Sequence, residues 1–182
     1  MNETREKKDM SEKRKNSENS EEDEEEKRLK LESLRKAGEI AQEVKKFIKP
    51  EIKIGVKALD IVSSTEKKIS ELGGACAFPV NLSINNIAAH YTSPFRDDGL
   101  TIKDNDLVKI DLGVHIEGYI VDTAFSVNFN KEENLENIIT ATDTALQAAK
   151  MMVKAGTNTK SMGKKIEDIV KGFNYIPIKE LG

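Results

Sequence analysis

Two aspartates eleven residues apart, Asp111 and Asp122, lie in a segment that alternates like one long β-hairpin, DLVKIDLGVHIEGYIVDTAFSVNF. If Glu117 and Gly118 form a two-residue turn, Ile116 pairs with Tyr119 and the rest of the ladder follows. Asp111 then faces Ala124 and Asp122 faces Gly113. Because side chains alternate along a strand, the two carboxylates are expected as diagonal neighbours on one face, roughly 7 to 8 Å apart at the backbone. The other face pairs Ile110 with Phe125, Leu112 with Thr123, Val114 with Val121 and Ile116 with Tyr119. One face is therefore built for a core and the other for chemistry.

Acids this close repel, and one pKa rises unless a cation intervenes. Lys109 is the only lysine or arginine on the acid face of the hairpin, so a divalent ion relieves the repulsion best. The small residues Gly113 and Ala124 are expected to leave room for ions, water and substrate. Solvated acids on an exposed sheet would share the pattern, and the hairpin alone leaves both readings open. His115 shares the acid face but lies toward the turn, and is read as structural. Asp97 and Asp98, just before Gly99, are read as turn residues.

The chain has 182 residues, 37% of them hydrophobic, and a net charge of -3. That suffices for one domain. Residues 1–30 hold 11 acidic and 9 basic side chains, including the block EEDEEE at Glu21 to Glu26. Such a segment cannot bury enough apolar surface to order itself, and it is expected to be a disordered charged tail. It would serve as a solubilising segment or as an electrostatic tether to a charged assembly such as the ribosome. Charges in residues 31–182 are nearly balanced, which gives no sign of a nucleic-acid groove. No signal peptide or membrane span is evident, and a cytoplasmic protein without membrane partners is expected. The single cysteine, Cys76, excludes an internal disulfide or a cysteine zinc cage. Flanked by Ala75, Ala77 and Phe78, it reads as packing.

Helical spacing of apolar residues marks a first helix from Leu31 to Ile48, stopped at Pro50, and a second from about Ala58 to Leu72. Strands are expected at Ala75 to Val80 and Ile87 to Tyr91, with the NLSINN stretch as the turn between them. After the hairpin, a long helix with a core stripe from Leu135 to Val153 precedes a shorter one ending at Gly172. Asn174 to Ile178 then reads as extended. The order implies an α+β layer with helices covering one face of an antiparallel sheet.

Two stretches, AFPVNLSINNIAAHYTSP and KIDLGVHIEGYIVDTAFSV, resemble the amino-terminal half of the type 2 methionine aminopeptidases, over about Leu34 to Gly182. His90 is otherwise a lone histidine at a strand end, but its HYT context resembles the type 2 enzymes. The resemblance implies half of a pita-bread fold and two divalent metal ions, with cobalt, manganese, iron and zinc all open. It makes Asp111 and Asp122 metal ligands, the second bridging both ions. His90 becomes a catalytic residue that also binds substrate at the scissile amide, and Phe78 a wall of the methionine pocket. The implied substrates are nascent polypeptide N-termini with a small second residue.

The family's remaining ligands are a histidine and two glutamates further on. The histidine is expected in a Gly-His motif soon after a Pro-Ile segment such as Pro177-Ile178, and the sequence ends at Gly182. A truncated product, or a complementary C-terminal half on a separate chain, is therefore expected. The rival reading is a non-catalytic pita-bread relative acting as an RNA- or ribosome-associated binding protein. Such relatives typically lose the second carboxylate, whereas this chain keeps Asp122. A prolidase is disfavoured by the NLSIN and HYT segments.

Overall fold

The computed structural model describes residues 2–93 and 99–178, with side chains from Asp23 onward. The turn expected at Asp97 and Asp98 lies outside the described residues. Four strands form one antiparallel sheet: β1 (Ala75–Cys76), β2 (Asn81–Ile84), β3 (Leu107–Ile116) and β4 (Tyr119–Asn128). Strand β3 is central. One edge pairs with β2 and then β1, and the other pairs with β4 along its whole length. Glu117 and Gly118, both at positive φ (50° and 81°), make the two-residue turn, because the twist of a tight hairpin requires left-handed backbone at both centres. The register is the expected one, with Asp111 opposite Ala124 and Gly113 opposite Asp122.

Helix α1 (Asn2–Ile48) and helix α2 (Ala58–Glu71) cover the apolar face of the sheet. Ala37, Ile40, Ala41, Val44 and Ile48 of α1 recur at helical spacing and are buried against Leu82, Val108, Ile110, Leu112 and Val114. The one polar residue in this face of β4, Thr123, is satisfied: the Lys45 ammonium donates to its Oγ1 at 3.0 Å. Burial, and then the like charges of Lys49 and Lys150, lower the Lys45 pKa.

Three sequence expectations differ from the structure. Helix α1 is continuous from Asn2, where an irregular tail is expected through residue 30. Its exposed Asp23–Lys30 stretch bears local pairs of the kind that support a solvated helix, Lys27 with Glu24 and Arg28 with Glu25, while Leu29 and Leu31 stay outside the core. Deleting residues 1–28 should therefore change unfolding free energy by no more than about 0.5 kcal/mol, measurable by urea titration. Second, the NLSI residues are strand β2, every one of them buried, and Ile87–Tyr91 is irregular. The tertiary demand of β3 for a partner overrides the turn propensity of the asparagines.

The third difference concerns helices α3 (Glu133–Met152) and α4 (Thr159–Gly172), which pack chiefly on each other. In α3 only Ala141, Ala145 and Ala149 are buried, while Leu146 and Met151 are exposed and Val153, just past its end, is too. The long stripe is thus only partly core. Residues 175–178 form no strand, and the Tyr175 hydroxyl instead donates to the Asn134 carbonyl at 2.9 Å. Among the described residues, no helix is long and apolar enough to cross a membrane.

Candidate metal and substrate site

The uncovered face of the hairpin carries both Asp111 and Asp122. On β4, Ile120, Asp122, Ala124 and Ser126 alternate outward and are all exposed. On β3, Asp111 is flanked across the ladder by Asn81 of β2 and Ala124 of β4. Burial raises the Asp111 pKa above the ordinary carboxylate range, and Asp122 adds to this through its charge and as a hydrogen-bonding neighbour. His90 opposes the rise, so its imidazole also lies within electrostatic reach of Asp111. Asp111 and Asp122 thus share one face, and His90 is near enough to act on Asp111 electrostatically.

A raised carboxyl pKa has a definite sign for stability. The folded chain holds that proton more tightly than the unfolded one, so the group stabilises at pH below its ordinary range, and this contribution is lost as pH rises through the raised pKa. Asp122→Asn removes the repelling charge. It should stabilise the metal-free chain at pH 7 by on the order of 0.5 kcal/mol, because both acids are partly open to screening solvent. The gain should fade as pH falls into the carboxylate range, which melting curves between pH 7 and pH 3 will show.

Phe78 stands on the same face, and its position corrects one expectation. The space above Gly113 is not left for ions and water. A Cβ added at Gly113 would clash with Phe78 Cε1, and would lie 2.8 Å from its Cδ1 and 2.9 Å from the Ala77 Cβ. The glycine exists so that the ring can lie on the strand directly across from Asp122. The backbone amide of Ala77 donates to the Gly113 carbonyl at 2.9 Å, which holds this segment against β3 beyond the end of β1.

Other polar residues sort themselves by their partners. His115 accepts the Gly118 amide on Nδ1 at 3.3 Å and so serves the turn, as expected. Lys109 donates to the Asn85 carbonyl at 2.7 Å. Cys76 is half-buried, and burial raises its thiol pKa, as fits a packing residue. Sequence reasoning missed Asn81, the buried neighbour of Asp111, because its segment reads as a turn. Its side chain donates to the Pro79 carbonyl at 2.9 Å. Recognising β2 as a partner of β3 would have found it.

Two hard oxygen donors on one face suit a divalent cation. Among the described residues, no group of three or more His, Cys, Asp or Glu side chains could hold a metal ion.

Metallopeptidase family M24 matches residues 32–180. A methionine aminopeptidase of Thermococcus onnurineus is 46% identical over 150 residues, which are 82% of this chain and 50% of that protein. One from Thermococcus kodakarensis is 45% identical over 150 residues, with the same shares. The chain thus spans about half the length of these curated relatives. Among solved structures, methionine aminopeptidase from Rickettsia prowazekii superposes with a TM-score of 0.73 at 22% identity, covering 82% of this chain and 62% of that one. Prolidase from Pyrococcus furiosus gives 0.69 at 22% identity, covering 81% and 44%. These two likenesses establish the shared pita-bread fold of the described residues.

Proposed function

Because this chain belongs to metallopeptidase family M24, we propose that it is the amino-terminal half of a methionine aminopeptidase that removes the initiator methionine from nascent polypeptides with a small second residue. The observation that carries the reading is the acid pair, Asp111 and Asp122, on one face of a family-matched hairpin, close enough for one carboxylate to raise the other's pKa. The similarity to methionine aminopeptidases at 45 to 46% identity favours that activity over the prolidases, which resemble the chain in fold alone.

Asp111 and Asp122 would hold divalent ions; cobalt, manganese, iron and zinc all suit such donors. When bound, such ions supply Lewis acidity and lower the pKa of water. The remaining work falls to side chains of this chain. His90, exposed beside Asp111, donates a hydrogen bond to the scissile amide and steadies charge as the carbonyl becomes tetrahedral. Phe78 offers an apolar wall for the methionine side chain. Ala124 leaves the acid face shallow between Asp122 and Ser126.

A complementary C-terminal half supplies the other ligands in this proposal. The charged amino-terminal segment tethers the protein to ribosomes in the cytoplasm, where its substrates emerge. The test is hydrolysis of a Met-Ala peptide by the chain joined to the downstream half of the Thermococcus onnurineus relative. Turnover on adding Co²⁺ or Mn²⁺ supports the reading. A well-folded, metal-loaded chimera that leaves the peptide intact overturns it.

A further inference from the structure

Resting on the reading of His90 as a working partner of the acid pair, we propose that Asn85, Asp106 and Lys109 are its positioning residues, a polar clamp that sets where the imidazole stands. Residues 85–90 leave β2 through left-handed backbone at Asn85 (φ 54°) and end in left-handed backbone at His90 (φ 64°). Asn85 through Ala88 are exposed, so apolar packing does not fix this loop. Hydrogen bonds hold its two ends.

The clamp uses every polar part of Asn85. Its backbone amide donates to the Leu107 carbonyl at 2.9 Å, and its side-chain Oδ1 accepts the Leu107 amide at 2.9 Å. Its Nδ2 donates at 2.8 Å to Oδ1 of Asp106, a carboxylate only 7% exposed. The other oxygen of Asp106 accepts the Lys103 amide at 2.8 Å. Finally, the Asn85 carbonyl accepts the Lys109 ammonium at 2.7 Å. At the far end of the loop, the Leu82 amide donates to the Tyr91 carbonyl at 2.7 Å, and the Tyr91 amide to the Ser83 hydroxyl at 3.4 Å.

An asparagine that merely eased a left-handed turn would need at most one such contact. Here the contacts lead to β3, the strand that also carries Asp111, and Lys109 lies on the same face two residues before it. Loop root and acid pair are thereby fastened to one rigid strand. The spacing between His90 and the carboxylates is then a property of that strand, and not of a mobile loop.

Amide hydrogen exchange on the full 182-residue chain tests the clamp without requiring activity. Lys109→Met removes the ammonium, and Asn85→Gly removes the side chain while keeping the backbone freedom. Each should speed exchange of the Ile87 and Tyr91 amides, which donate to the Ile84 carbonyl and the Ser83 hydroxyl, by about fivefold to tenfold, the loss of one or two net hydrogen bonds. The His90 ring resonances should shift, β3 and β4 amides should keep their protection, and Lys109→Arg should restore both loop readouts. Unchanged loop exchange, or equal acceleration throughout the sheet, would overturn the proposal. Should the chimera described above fail to hydrolyse peptide while the loop responds as expected, the functional reading falls and the clamp stands.

Discussion

In the completed peptidase, Asp122→Ala should reduce Met-Ala hydrolysis below detection. Asp122 is exposed on the outer face of β4, so its loss costs the fold little and isolates its chemical role. Loss of a group that only orients a ligand lowers metal affinity or activity by roughly 10- to 100-fold, and loss of a carboxylate proposed to hold the ions directly should exceed that. The chain by itself should show no appreciable turnover, because no third ligand joins the pair among its described residues. A peptide assay on the chain, the chimera and the chimera carrying Asp122→Ala checks all three statements. Full activity of the isolated chain would mean that other groups in it complete the site.

The second large effect is expected at Gly113. An added methyl group there collides with the Phe78 ring and with the Ala77 Cβ, and the latter has no slack, because the Ala77 amide is bonded to the Gly113 carbonyl itself. Gly113→Ala should destabilise the chain by about 1 to 3 kcal/mol, the usual range for overpacking. It should also drive Phe78 off the strand, raising KM for methionyl peptides in the completed enzyme. Pairing it with Phe78→Ala should recover much of the stability, since the nearest clash is with the ring, but none of the affinity. Urea titration and steady-state kinetics separate these outcomes. An unchanged midpoint in Gly113→Ala would show that the ring does not rest where it is described.

The hairpin was legible from sequence because its signals agree. Period-two alternation, a turn dipeptide ending in glycine and an apolar opposite face all demand one register, and a slip by one residue would expose Ile110, Leu112 and Val114. Strand β2 was hidden because Asn81 and Ser83 carry turn propensity, while the reason they extend is the unpaired edge of β3, far away in sequence. The same distance hid the Gly113 to Phe78 contact. A glycine opposite an acid reads as space until the chain from residue 77 is seen to fold over it. In α3 the periodicity identifies a helix, but period alone does not reveal how much of a stripe becomes buried, and Leu146 stays 54% exposed.

The central claim is that Asp111 and Asp122 together bind a divalent ion. Calorimetry alone would mix this with diffuse binding to the acidic block at Glu21 to Glu26, so location must be read as well as affinity. Titration of the ¹⁵N-labelled chain with Mn²⁺, followed by paramagnetic broadening of its amides, does both. The expected result is early, saturable broadening of Asp111, Gly113, Asp122 and Ala124, lost in Asp111→Asn/Asp122→Asn. Broadening confined to the amino-terminal helix, or identical in that double variant, would contradict the account.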